Sequence, residues 1–164
     1  MEPAAAACPA DGAPPEGTSA YLLSQLGALS ARLFADRVAA LDLTPPQAGL
    51  LRLVAAQPGR SQQALATQLG TPPSRMVGLI DGLEARGLLA RRRNTDDRRL
   101  SSLHVTADGM ALLAELGGLA VAHDGEVSAG LDDTEREQLH ALLVRLAELR
   151  GLRPGVHPGF RGSC

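Results

Sequence analysis

Residues 61–105 read SQQALATQLG TPPSRMVGLI DGLEARGLLA RRRNTDDRRL SSLHV, and their order decides the fold. Ser61 is a good N-cap for a short helix, Gln62 to Leu69, which buries Ala64, Leu65 and Leu69. Gly70 makes the turn. Thr71 is expected to cap a second helix from Pro72 to Arg86, with Met76, Leu79, Ile80 and Leu83 facing inward. Gly87 follows, where a left-handed residue is wanted after a helix end. Helix, short glycine turn, helix is the helix-turn-helix spacing, and it leaves the second helix free to enter a DNA major groove. Next, Leu88 to Arg93 and Arg98 to Val105 flank the turn formers Asn94-Thr95-Asp96-Asp97, which predicts a β-hairpin. Leu103 and Val105 alternate with Ser102 and His104, as a half-buried strand requires. A two-stranded ribbon beside a recognition helix is a wing.

Working outward, the preceding sequence predicts two more helices. The first starts at Thr18 or Ser19 and carries Leu22, Leu26, Leu29 and Leu33 at helical spacing, widened by Leu23, Phe34 and Val38. It ends by Leu41–Leu43. Thr44 caps the next, with Pro45 at its first position, and Leu50, Leu51, Leu53 and Val54 form its buried side before Pro58-Gly59. After the wing, Thr106 caps a helix with Met110, Leu112, Leu113, Leu116 and Leu119 apolar. Gly117-Gly118 inside it costs ~1 kcal/mol per residue relative to Ala, which predicts a kink or a close helix approach. Asp132 or Asp133 caps the last helix, where Leu139, Leu142, Leu146 and Leu149 form a heptad seam. Periodicity alone leaves a core face and an interface equally open. Residues 1–17 and 151–164, rich in Gly and Pro, read as a flexible arm and tail.

The chain is therefore mainly α with a small β-hairpin wing. Hydrophobic residues make up 45% and charged residues 21% of the 164, a globular balance that excludes a mostly disordered protein. Aromatics are only 2%, so the core is built from Leu, Ala and Val, which suits helix packing. No apolar run reaches ~18 residues, so no membrane span is expected. Residues 1–17 lack the basic start and apolar stretch of a secretory signal, and a cytoplasmic location is expected. The net charge of −2 hides a segregation: residues 60–105 carry eight Arg against four acids, and the rest carries eight Arg against fourteen. All sixteen cations are Arg, the side chain suited to bidentate contacts with phosphate and guanine. A localised basic segment in an acidic frame is the footprint relevant to DNA.

Five stretches in order carry a resemblance: Leu43-Thr44-Pro45-Pro46-Gln47, Ser61-Gln62-Gln63-Ala64-Leu65-Ala66, Leu83-Glu84-Ala85-Arg86-Gly87-Leu88-Leu89, Asp97-Arg98-Arg99 and Val105-Thr106-Ala107-Asp108-Gly109. Together they make the sequence similar to the MarR family of winged-helix transcription regulators, from about Ser19 to Arg150. The resemblance implies a homodimer that binds double-stranded DNA at a pseudo-palindrome, acting as a repressor released by a small aromatic or anionic effector. Residues 44–105 would be the winged helix-turn-helix reader. Residues 18–43 and 106–150 would supply the dimerisation helices, with Leu22, Leu26, Leu139, Leu142, Leu146 and Leu149 at the interface.

On the recognition helix the open positions are Ser74, Arg75, Gly78 and Gly82, with Val77 at the margin. Arg75 suits a guanine or a phosphate, and Val77 a thymine methyl. The family often has basic residues at the positions of Gly78 and Gly82. Ser61, Gln62 and Gln63 open the preceding helix and suit phosphate contacts. By resemblance Arg99 is the wing arginine for the minor groove, Asp97 the acid that steadies the wing, and Arg98 a phosphate contact. Arg91 matches a basic family position, whereas Arg92 and Arg93 are generic cations. Tyr21, Arg32, Arg37 and Arg52 could line an effector pocket, but each reads better as a surface or interface residue, so the ligand site is left unassigned.

Other classes have little support. No nucleophile-base-acid set, phosphate loop or metal-ligand spacing is present, so neither an enzyme nor a cofactor or metal is expected. His104, His123, His140 and His157 share no i, i+4 pair. Cys8 and Cys164 predict no disulfide, and no thiol stands in the first helix, where peroxide-sensing relatives need one. The alternative is a winged-helix module that docks proteins without reading DNA; the basic wing tip argues against it.

Overall fold

A computed structural model describes residues 17–93 and 101–152. Six helices and one two-stranded antiparallel sheet follow the expected order: α1 Ser19–Ala39, α2 Pro45–Ala56, α3 Gln62–Leu69, α4 Pro73–Ala85, β1 Leu89–Arg93, β2 Ser101–Val105, α5 Ala107–Val127 and α6 Asp133–Leu149. Local chemistry sets most boundaries. The side chains of Thr18, Thr44, Ser61, Thr106 and Asp132 each accept a hydrogen bond from a backbone N–H of the helix that follows. Thr44 with Gln47, and Asp132 with Glu135, complete capping boxes. Gly70 closes α3 in the left-handed region, at φ 62°.

The core lies among α2, α3, α4 and the β-hairpin. Leu50, Leu51 and Val54 of α2, Leu65 and Leu69 of α3, Met76, Ile80 and Leu83 of α4, and Leu89 and Leu103 of the wing are fully buried together. The carboxyl half of α1 joins them through Val38 and Phe34, and α5 through Leu116. In contrast, the amino half of α1 is exposed throughout, and α6 has no buried residue and no substantial contact with another element. The α6 stripe and the amino-half part of the α1 stripe, Leu22 to Leu29, are thus not core faces of the single chain, whereas Phe34 and Val38 are.

Three local expectations are corrected. Thr71 does not cap α4: it is buried, and Pro72 takes the N-cap position without a side-chain bond. The recognition helix opens on two prolines, whose fixed φ suits a first turn. At Gly117-Gly118 α5 runs on as one helix, and nothing lies within 4 Å of a Cβ built there, so the expected close approach is not made within the single chain. Ser102 is buried although the strand pattern turns it outward. The cause is a third segment on the free edge of β2: Gly59 N–H donates to Leu103 O, Leu103 N–H donates to Arg60 O, and Ser61 bridges Ser102. Ser102 Oγ finds partners in Arg92 O at 3.2 Å and His104 Nε2 at 3.1 Å. Residues 1–16, 94–100 and 153–164 lie outside the described residues, and with them the arm and tail, Cys8, Cys164, and the wing-tip candidates Asp97, Arg98 and Arg99.

Candidate nucleic-acid interface

The recognition helix presents one clear face. Met76, Ile80 and Leu83 are buried, so the 3.6-residue period turns Ser74, Arg75, Val77 and Gly78 outward, and all four are exposed. No Cβ contact limits Gly78. Gly82 differs: it is half-buried, and a Cβ there would stand 3.0 Å from Gln47 Nε2. It belongs to the packing of α4 against the start of α2, not to the open face. The glycine at a position where the family often carries a cation thus has a packing reason.

At the start of α3, Ser61 and Gln62 are half-buried and Gln63 is exposed. Ser61 Oγ accepts from Ala64 N–H at 3.2 Å, so capping occupies it. Beside it lies an open depression lined by Arg60, Ser61, Gln63, Ala64, Thr67 and Gln68. Arg60, Thr67 and Gln68 were not singled out by motif. Arg60 is recognisable only as the first cation of the basic segment, and Arg60 Nη2 donates to Gln68 Oε1 at 3.5 Å. Polar groups and first-turn amides here suit a phosphate backbone.

Arg91 departs most from expectation. Its guanidinium turns back onto α4, where Nη2 donates to Asp81 at 2.5 Å and Nη1 to Glu84. Its backbone N–H also donates to Glu84 Oε1 at 3.1 Å. The hydrogen bond that it donates to Asp81 is the largest influence holding its pKa above the ordinary arginine value. Arg91 is committed to fastening the wing root to the recognition helix and to neutralising two acids there. In the single chain its guanidinium faces α4 instead of standing outward as a free cation. Arg92 is exposed.

The joint between wing and α5 is tight. Thr106 Oγ donates to Gly87 O at 2.6 Å and accepts from Gly109 N–H at 3.1 Å, while Thr106 N–H donates to Leu88 O at 3.1 Å. Gly87 takes φ 69° as expected.

Residues 41–100, from the end of the first turn to the wing, match the sequence profile of the MarR family. A protein of Thauera aromatica, assigned as a transcriptional regulatory protein for the hcr operon, is 37% identical over 116 residues, 70% of either chain. The chain belongs to the MarR family. Among solved MarR-like structures, the transcriptional repressor CouR bound to a 23-mer DNA duplex is 35% identical, with TM-score 0.69 over 79% of this chain and 92% of CouR. The Mycobacterium tuberculosis MarR-family protein Rv2887, solved in complex with DNA, is 27% identical, with TM-score 0.69 over 80% of this chain and 98% of that one. Rv2887 has also been solved with salicylic acid. MarR-family proteins are transcription regulators, not enzymes. Among the described residues of this member, no His, Cys, Asp and Glu cluster suits a metal ion, and no helix is long and apolar enough to cross a membrane.

Proposed function

We propose that the protein is a homodimeric repressor that reads a pseudo-palindromic duplex and is released from it by a small aromatic acid. The observation that carries the reading is the exposed face of α4, with Ser74, Arg75, Val77 and Gly78 turned away from the core beside a wing root fastened by Arg91. Gln63 and the depression at the start of α3 support phosphate contacts. The outward Leu22, Leu26, Leu139, Leu142, Leu146 and Leu149 support pairing with a second copy. From the wing tip, which lies outside the described residues, Arg99 is expected in the minor groove, Arg98 on a phosphate, and Asp97 as the steadying acid. DNA-bound and salicylate-bound relatives support both partners.

For the effector, the contact between α1 and α5 is the favoured place. Arg37 pairs with Glu126 there, and Ser30 Oγ meets His123 Nε2 at 3.0 Å. Phe34 packs on the His123 ring at a centroid distance of 5.6 Å. Two buried atoms in this contact, Arg37 Nε and His123 Nδ1, have no hydrogen-bond partner, and the Arg37 Nε–H is a donor that a carboxylate would satisfy. The other candidates, Tyr21, Arg32 and Arg52, are exposed.

Salicylate is the probe. A duplex recovered by the protein from a random-sequence pool should lower salicylate affinity by the same factor by which salicylate lowers duplex affinity, since coupling is reciprocal. Arg37→Gln should weaken salicylate binding roughly tenfold or more, as loss of a charge-assisted hydrogen bond implies, with duplex affinity retained. Equal salicylate affinities with and without duplex would refute release by this ligand class.

A further inference from the structure

Within the motif Leu83-Glu84-Ala85-Arg86-Gly87, the arginine has no place on the α4 face described above. Arg86 is the C-cap residue of α4. Its guanidinium reaches back to the connection between α1 and α2: Nη1 donates to Asp42 O at 2.5 Å and Nη2 to Leu41 O at 3.0 Å. Asp42 has φ 53° and is the one non-glycine residue with positive φ among the described residues. That conformation crowds the Cβ of an L-residue, although Asp tolerates it better than most. Beside it, Leu43 N–H donates back to Val38 O at 3.1 Å, so the turn folds directly onto the end of α1.

The geometry needs an arginine. Two neighbouring carbonyls are met by two nitrogens of one planar fork, which an ammonium does not reproduce as a rigid pair. The corner beyond Arg86 is also fixed, because Gly87 O accepts from Thr106 Oγ. The end of the recognition helix is therefore tied on one side to the exit of α1 and on the other to the entrance of α5.

We propose that Arg86 is a positioning residue that sets the recognition helix relative to α1 and does not itself touch DNA. The proposal rests on the DNA-binding reading above. In a dimer joined through α1 and α6, the two recognition helices must meet major grooves ~34–36 Å apart. A small rotation of α4 against α1 is multiplied over that span, so a residue that fixes the angle also fixes which half-site spacing is accepted.

The experiment uses the full chain and a duplex that the wild type recovers from a random pool, together with versions whose half-sites are one base pair closer or farther apart. Arg86→Met keeps the stem and removes the fork. Its affinity should fall roughly tenfold, with the slope of log K against log salt unchanged and the preference among the three spacings flattened. Arg86→Lys, which keeps the charge, should show the same flattening. A slope reduced by about one unit in Arg86→Met and restored in Arg86→Lys would make Arg86 a phosphate contact and overturn the proposal. Wild-type affinity and spacing preference in Arg86→Met would also overturn it. If circular dichroism shows Arg86→Met to be unfolded, Arg86→Lys decides alone, and wild-type spacing preference in it counts against the proposal. A wild type that binds no duplex better than a scrambled one would instead refute the DNA-binding reading, and the proposal with it.

Discussion

Replacing Leu142 and Leu146 together by Glu is expected to give a monomer that binds duplex about 10²- to 10⁴-fold more weakly than the wild type. The reason lies in α6. It is a 17-residue helix with a capping box at its start and no buried residue along its length. Leu142 is 60% exposed and Leu149 72% exposed in the single chain. A lone helix of this length is near the limit of stability in water, and most helices in proteins persist because an apolar face is packed. The matching exposed face is the amino half of α1, where Leu22 and Leu26 also stand in the open. In the proposed dimer, two such faces and their copies would cover one another and join two readers. Once joined, the second half-site is met at high effective concentration, and that advantage is what the double substitution removes. Sedimentation velocity with fluorescence anisotropy on a recovered duplex checks both parts. A variant that remains a dimer, or a monomer with undiminished affinity, would remove the dimeric account.

The second large effect is expected at Gly109. A Cβ there would stand 2.2 Å from Leu88 O and 2.6 Å from Val105 Cγ1. Neither neighbour can move freely. Leu88 O accepts from Thr106 N–H, and the strand carrying Val105 pairs with β1, with Val105 opposite Leu89. Gly109→Ala therefore forces backbone apart in a packed joint, at a cost near the upper end of overpacking, about 3 kcal/mol. For a chain of this size that corresponds to a Tm lower by roughly 6–12 °C at equal protein concentration. Gly118→Ala is the control: nothing lies within 4 Å of its Cβ, so the helix gains up to ~1 kcal/mol and Tm rises. Thermal unfolding of both variants by circular dichroism decides, and a Gly109→Ala protein as stable as the wild type would contradict the packing described.

The contrast between these two sites shows what the sequence makes legible. The caps at Thr44, Ser61, Thr106 and Asp132, the turn at Gly70 and the left-handed Gly87 act over three or four residues, so they can be read directly; the caps start α2, α3, α5 and α6, and the two glycines bracket α4. The recognition face follows, since Met76, Ile80 and Leu83 fix which way Ser74, Arg75, Val77 and Gly78 turn. What stays hidden depends on approaches across the fold. Arg91 finds acids seven and ten residues earlier on a different element. Arg86 finds carbonyls more than forty residues away. Gly82 packs against the Gln47 side chain, and Ser102 is buried because residues 59–61 close the edge of β2. The leucine seam of α6 is a different case: a period of this kind is the same for a core face and for an interface, and its exposure in the single chain, from 41% at Leu139 to 72% at Leu149, argues against a core face.

The central claim is that this chain binds duplex DNA through the α4 face and the basic segment around it. It is tested most directly by the wild-type affinity for a recovered duplex and for its scrambled counterpart across a salt series. The account predicts a clear preference for the recovered duplex, and a linear fall in log K against log salt that amounts to about 10³-fold or more between roughly 50 and 200 mM. Affinity that is flat across that range, or equal for the two duplexes, would contradict it and leave a winged-helix module that docks on protein.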